Sequence, residues 1–360
     1  MVLLIIKGEE LLVSNLENKR IMRNNFFICV LLLALGWYVN PLRAQEVSVV
    51  ITTDEGYSNP SLIQRMQSNL SAVLTEVNAA HKENRLLKTS GLAMNDFAKN
   101  SLSMLWANIH FYCDDSEVVE RCWVFGDGKE FMVSHIPLII DVEESQFGNG
   151  TYQEAVVEFD QQGIIKDFRF SLDAQLSESM ENCGEVVEIE RRMKILSYCE
   201  RLRTAYNQKD IDFINQIFSD NALIITGTVI TPKPVDGIYA NKLKVVYKKQ
   251  NKEQYISNLK KAFLRNKWID VKFSDIGENA ELNGCAGVTR SQVNPNMYGV
   301  RLRQEWRSSN YSDTGYLFLL WDFTEENRPV IHVRTWQPDM VGGVKQQPDN
   351  SISTLGAFDL

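Results

Sequence analysis

The sequence predicts an α+β protein of two tandem cone-like domains, each a curved antiparallel sheet packed on N-terminal helices. Three observations predict it. Amphipathic helical periodicity opens each half, near residues 60–82 and again at 189–207. Strand-like runs rich in β-branched and aromatic residues gather later in each half. Finally, the halves echo one another. DFAKNSLSMLWANIHF, ending at Phe111, matches YISNLKKAFLRNKWIDVKF, ending at Phe273, and Trp106 to Trp268 spans the same interval as Phe111 to Phe273. YQEAVVEFDQQGIIKDFRF likewise matches YLFLLWDFTEENRPVIHVRTW, which sets Phe159 and Phe323 at nearly that interval.

The elements follow in order. Residues 22–44 carry Arg23, an apolar run from Phe26 to Val39, a break at Asn40 and Pro41, and a small residue at Ala44. That is the layout of a secretory signal peptide, and the run is shorter than the roughly 20 residues of a spanning helix. Glu9, Glu10 and Glu17 precede it, which suits no export signal, so Met22 is the expected start and 1–21 a mis-called leader. Cys29 lies inside the apolar run, which argues against a lipoprotein. The mature chain is then expected to be periplasmic or secreted, soluble and without a stable membrane span.

The first domain is expected over 46–177 and a polar linker over 178–188. The second domain follows over 189–341, and 342–360 reads as a flexible tail. In the second copy, Ile195, Tyr198, Cys199, Leu202 and Tyr206 fall at helical spacing. A short helix at 210–218, a strand at 223–226 and a helix at 251–267 come next. Strands are expected at 271–273, 298–306, 315–323 and 329–336, with EENRP (325–329) as the turn between the last two.

With 360 residues, 44% of them hydrophobic, the chain is long enough for two cores and is not disordered. A net charge of -8 argues against a nucleic-acid partner. Lys242, Lys244, Lys248, Lys249, Lys252, Lys260 and Lys261 make one basic stretch, read as the wet face of a strand and a helix or as a dock for an anionic partner. Glycines in FGDGKE (125–130) and FGNG (147–150) read as hairpin turns rather than a phosphate loop. Five cysteines follow the signal: Cys113, Cys122, Cys183, Cys199 and Cys285. Cys113 and Cys122 either close a hairpin as a disulfide or are free buried thiols. No CxxC pair exists and His81, His110, His135 and His332 are scattered, so no metal site and no cofactor are expected.

The run RLRTAYNQKDIDFINQIFSDNALI (201–224) resembles the opening of the nuclear transport factor 2-like superfamily, which includes ketosteroid isomerases and polyketide cyclases. The resemblance rests on the polar step Asn207 to Asp210 and on Phe218 to Ala222. It covers most of the second half and, in the first, only the helices and the final hairpin. It implies a cone with a pocket between sheet and helices. It also speaks against isomerase chemistry, since the positions matching the oxyanion tyrosine, the general base and the donor aspartate are Leu202, Thr226 and Leu319, with Ala155 at the last of these in the first half.

Two other constellations stand out. Asp322 and His332 flank the last hairpin and would form an acid/base or nucleophile-activating pair if strand register put them on one face. Glu158 and Lys166 occupy the corresponding hairpin of the first half. Arg301 and Arg303 share one face of 298–306 beside Glu305, as an anion clamp if that face is concave or as solvated residues if it is convex. Tyr298, Trp306, Tyr316, Trp321 and Trp336 crowd the same strands, as core or as ligand-gripping rings. The leading expectation is an exported, non-catalytic module binding a small apolar or sugar-like ligand or a protein partner, at Tyr298, Arg301, Arg303, Trp306, Trp321 and Trp336. The alternatives are an enzyme using Asp322 and His332 with the arginines, and a structural platform whose duplicated domain replaces a dimer, leaving a monomer.

Overall fold

A computed structural model describes residues 46–360 except 54–56, 127, 142–150, 173–188, 231–242, 277–286, 327 and 359–360. The signal-like segment, the linker, Lys242, the FGNG turn, Cys183 and Cys285 lie outside the described residues. The first half runs β1 (Ser48–Thr53), α1 (Pro60–Glu83), α2 (Asp96–Asn108), β2 (His110–Tyr112), β3 (Glu117–Phe125), β4 (Glu130–Asp141), β5 (Thr151–Phe159) and β6 (Ile165–Phe170). The second runs α3 (Ile189–Gln208), α4 (Ile211–Ile217), β7 (Phe218–Ile230), β8 (Lys244–Gln250), α5 (Lys252–Arg265), β9 (Ile269–Ser274), β10 (Val288–Arg290), β11 (Met297–Ser308), β12 (Ser312–Asp322) and β13 (Val330–Pro338). A small hairpin, β14 (Met340–Val341) with β15 (Val344–Lys345), closes the described chain together with a 3-10 turn at Leu355–Ala357. Both halves are α+β.

The duplication shows in the strand order. In the first sheet, β2 and β3 share one edge of β4, and β5 and β6 follow on the other. In the second, β9 and β10 share one edge of β11, and β12 and β13 follow. What differs is the extra strand: β1 runs parallel to β3, whereas β7 runs parallel to β13 and carries β8 beyond it. The free edge of β1 is not left bare. Backbone N–H groups of Val47, Val49 and Ile51 donate to Thr75 Oγ1, Ser71 Oγ and Gln67 Oε1, a ladder of side chains one helical turn apart on α1.

Helix starts follow their caps. Asn95 and Asp210 accept from the N–H groups of Ala98 and Phe213, and Asn251 forms a reciprocal capping box with Gln254. The motif residues 207 and 210 therefore serve architecture. Asn207, fully buried, exchanges hydrogen bonds with Val271 N at 2.7 Å and Val271 O at 3.3 Å, which pins α3 to β9.

The inner face of the first sheet packs on α1 and α2 around Trp106, Phe111, Phe159 and Phe168. Its outer face contributes Met132, Val156 and Leu172 to the core of the second half, against Met193, Leu196 and Cys199 of α3. Helix α3 also covers the edge of β6, where Phe170 N donates to Thr204 Oγ1. Between the halves lies a buried charge cluster. Arg169, 1% exposed, donates to Glu158 at 2.7 Å, Asp167 at 2.8 Å and Glu200 at 2.9 Å. Lys166 and Arg201 reach the same Glu158, both at 3.3 Å. Burial works to raise the Glu158 pKa, but Arg169, Arg201 and Lys166 hold it down at about 2.

One open alternative is decided and one expectation corrected. Cys113 and Cys122 are buried thiols that form no disulfide. Residues 110–112 and 117–125 run in the same direction along one edge of β4, with Tyr112 opposite Ile139 and Cys122 opposite Val133. The expected hairpin between the two cysteines does not exist, so their side chains are separated along a strand line rather than facing across one. Residues 342–358 are not a loose tail. Tyr316 Oη donates to Gln346 O at 3.0 Å, Thr335 Oγ1 to Ile352 O at 2.6 Å, and Phe358 stacks on Phe318. The reason is legible in GYLFLLWDF: β12 is apolar on both faces, so its outer residues Phe318 and Leu320 need a cover of their own.

Candidate functional site

One irregularity in the second sheet organises its chemistry. Pairing of β12 with β13 shifts between Leu320 and Trp321, so that Leu320 faces Val333, Trp321 faces Ile331, and His332 is the extra residue of a bulge. Before the bulge Ile331 points into the core; after it Val333 belongs to the outer cluster and Trp336 to the inner one. The alternation is therefore inverted at His332, and Arg334 and Trp336 stand on the inner face, opposite the core residues Leu319 and Leu317.

That inner face carries several buried polar groups. Arg334, 6% exposed, donates through Nη2 to Gln304 Oε1 at 3.0 Å and lies 5.4 Å from the Tyr255 ring. Tyr255 and Tyr206 share a hydroxyl hydrogen bond of 2.6 Å, and Tyr206 meets Trp306 edge-on at 5.9 Å. Three buried atoms here have no hydrogen-bond partner: Arg334 Nε, Trp336 Nε1 and Asp313 Oδ1. Asp313 stands opposite Trp306 in the strand register, and Tyr311 Oη donates to its other oxygen at 2.7 Å. Burial raises the Asp313 pKa against the pull of Tyr311 and Arg334. Burial works to lower the Arg334 pKa, yet Tyr255, Tyr206 and Asp313 hold it raised. The set offers two N–H donors and one carboxyl oxygen among aromatic rings. Gly315 leaves room for the Trp336 ring: a Cβ there would lie 2.2 Å from Gln337 O and 2.6 Å from Trp336 Cε2.

The six expected binding residues do not form one site. Tyr298, Trp306, Trp321 and Trp336 lie on the inner face, with Tyr298 and Trp321 packed on Phe323 as core. Arg301 and Arg303 alternate with the inner residues Val300 and Leu302, so they point outward to Asn350 at 3.2 Å and Asp339 at 2.9 Å. Glu305 pairs with Arg307 instead. Sequence reasoning missed Arg334, because strict alternation from Ile331 sends it outward. No signal within HVRTW alone would have found it, because the bulge is set by the pairing of β13 with β12.

Asp322 and His332 do meet. His332 Nε2 lies 3.2 Å from Asp322 Oδ2, and His332 Nδ1 lies 2.9 Å from Ser219 Oγ. Asp322 is steadied by Thr324, whose N and Oγ1 both donate to Oδ1. Partial burial raises the Asp322 pKa, but the bonds from Thr324 and His332 outweigh it and hold the carboxyl below its ordinary value. Glu158 and Lys166 of the first half pair as well, within the Arg169 cluster.

The positions that the sequence resemblance compares with isomerase groups hold no carboxylate or tyrosine. Leu202, Leu319 and Ala155 are fully buried in apolar clusters, and Thr226 sits in the ladder between Trp336 and Lys248. Among the described residues no group of three His, Cys, Asp or Glu side chains is placed to hold a metal ion.

No family model and no curated protein matches the sequence. Solved structures do. One is an NTF-2 like protein of unknown function from Shewanella oneidensis MR-1, 14% identical, with a TM-score of 0.28, matched over 41% of this chain and 98% of that one. Another is an NTF2-like protein of unknown function from Pseudomonas putida KT2440, 9% identical, with a TM-score of 0.30 over 44% of this chain and 94% of that one. A third is ActVI-ORFA from Streptomyces coelicolor, 6% identical, with a TM-score of 0.28 over 42% of this chain and 99% of that one. The chain is similar to NTF2-like proteins. Within 201–224, Asn207 and Asp210 are a helix-to-strand pin and a helix cap, so these two residues serve the fold.

Proposed function

We propose that the protein is an exported ligand-binding module whose site is the inner face of its second sheet. The observation that carries the reading is that Arg334 Nε, Trp336 Nε1 and Asp313 Oδ1 are buried on one sheet face without a hydrogen-bond partner, as Trp321 Nε1 is beside them. Buried polar atoms are almost always satisfied, so unpartnered donors and an acceptor on one face favour a bound polar group. Donors from Arg334 and Trp336 suit an acceptor or anionic group. The rings of Tyr206, Tyr255, Trp306 and Trp336 suit a flat apolar body. The ligand class is a small planar, largely apolar molecule bearing a carboxylate or similar acceptor.

Support for a non-catalytic role at this face is that Leu202, Thr226 and Leu319 stand where isomerase groups would be needed. Export rests on the residues of 22–44, and among the described residues no helix is long and apolar enough to cross a membrane. A monomeric mature chain is part of the proposal, supported by the burial of the outer face of the first sheet against α3.

The test is fluorescence titration of the full chain with 1-anilinonaphthalene-8-sulfonate, an aromatic anion, against wild type and Arg334→Met. Saturable one-to-one binding that weakens at least about tenfold in the variant, a loss of about 1.4 kcal/mol, supports the reading. Equal binding by both proteins overturns it.

A further inference from the structure

The outer face of the same sheet carries a second arrangement that ligand binding does not use. Ser219 Oγ, His332 and Asp322 form a continuous chain of contacts, 2.9 Å and 3.2 Å long, at the bulge. Ser219 lies where β7 loops out between Phe218, opposite Ile331, and Leu223, opposite Val333, and it meets the cleft through its contact with His332. Asn221, Leu223, Ile225 and His332 line a cleft of about 610 Å³ roofed by Ile352 and Phe358 of the C-terminal segment. That volume is in the range of small-molecule sites.

We infer that Ser219, His332 and Asp322 are a nucleophile, a base and an orienting carboxylate for hydrolysis of esters with an apolar acyl chain. The chemistry follows from the acceptor inventory. An ionised carboxylate only accepts, so Asp322 fixes the imidazole proton on Nε2 and leaves Nδ1 free to accept from the Ser219 hydroxyl. In the step, Ser219 Oγ bonds to the ester carbonyl carbon as its proton passes to Nδ1. The carbon–oxygen bond to the alcohol then breaks, and the departing alcohol takes that proton. Water adds to the acyl-serine by the same route and releases the carboxylic acid and the free serine. Asn221, two residues on and at the cleft, is the side-chain amide placed to donate to the oxyanion. Leu223, Ile225, Ile352 and Phe358 make the acyl channel apolar, and Lys249 stands at its wall.

Strict alternation from the inward Ile331 places His332 on the outer face beside Asp322, which pairs with Val330, and the bulge then keeps Val333 on that same face, next to the imidazole. Asp322 acts through the histidine and is a positioning residue.

The test is covalent labelling of the full chain with a fluorophosphonate, in which the Ser219 Oγ–phosphorus bond forms, the phosphorus–fluorine bond breaks, and the proton goes to His332. Mass analysis of the intact protein and its peptides is expected to show one adduct, on Ser219. Ser219→Ala abolishes it, and His332→Gln slows it about a hundredfold, the lower range of general-base catalysis. Asp322→Asn slows it while Asp322→Glu recovers part of the rate, a distinction that a merely structural carboxylate would not give. Ser103→Ala, on α2 far from the cleft, labels as wild type does. The same variants are scored for hydrolysis of p-nitrophenyl butyrate and octanoate, with the longer ester favoured. No adduct on Ser219 in a protein that melts cooperatively, or labelling at Ser219 that is equally fast in folded His332→Gln, overturns the inference.

Discussion

His332 stands 3.2 Å from Asp322 through Nε2, on the outer face that both reach by ordinary alternation, and the bulge at His332 turns Arg334 inward. The outer face carries an imidazole held between a hydroxyl and a carboxylate. The inner face gains a buried guanidinium among aromatic rings.

Arg334 is predicted to trade stability for binding. Its Nε is buried and unpaired, and Arg334→Met replaces a desolvated cation with an apolar chain of similar reach. The variant should melt at or above the wild-type temperature, a gain of about 0–3 kcal/mol, while losing the aromatic anion. Urea unfolding read alongside the ligand titration checks both halves. A variant that is clearly less stable would mean that Arg334 is a structural residue.

How much of this was legible in the sequence depends on parity. Helices α3 and α5 and strands β11–β13 follow from periodicity and caps, because apolar spacing of about 3.6 or 2 residues is a local property. Asp322 and His332 were legible as a pair whose meeting depended on register. Arg334 was not, since a bulge is set by how two strands pair and leaves no mark within one of them. Arg301 and Arg303 were left between two faces for a related reason: alternation puts them on one face but does not say which face the helices cover. Strand β1 escaped notice because its edge is satisfied by Gln67, Ser71 and Thr75 of a distant helix. The covered outer face was readable from the doubly apolar GYLFLLWDF.

Gly315 is predicted to be intolerant of any side chain. An added methyl would meet Gln337 O at 2.2 Å and the Trp336 ring at 2.6 Å, so the indole or the strand must shift. Gly315→Ala should cost about 1–3 kcal/mol, the usual penalty of overpacking, and should weaken binding at the inner face because Trp336 moves. Thermal unfolding and titration together distinguish this from a neutral surface change.

Breaking the charge cluster between the halves should be among the most damaging single changes. Arg169 is the shared partner of Glu158, Asp167 and Glu200, and Arg169→Ala leaves the three carboxylates facing one another. The expected loss is about 3–5 kcal/mol, with native-state hydrogen exchange rising first in β6 and α3. A loss below about 1 kcal/mol would show that the cluster is screened like a surface pair.

Cys113, Cys122 and Cys199 should behave as protected thiols. Burial pushes the Cys113 thiol up to about 11, so little thiolate exists at neutral pH even where reagent can reach it. Alkylation of the native chain followed by peptide mapping should leave all three unmodified until denaturant is added. A peptide pair joined through Cys113 and Cys122 would contradict the strand path described above.

Acid should loosen the join between the halves before it unfolds either core. The folded Glu158 carboxyl, held at about 2, lies below its ordinary value of 4.5, so its contribution to stability is complete above about 4.5. It is lost as pH falls from there toward 2, because protonation then costs the native state its pairing with Arg169, Arg201 and Lys166. Glu200 works the other way: burial raises its pKa, so its protonation on acidification relieves rather than adds strain. Urea midpoints measured from pH 7 down to pH 2.5 should therefore fall less steeply in Glu158→Gln than in wild type, and parallel slopes in the two proteins would remove Glu158 as the acid-sensitive group.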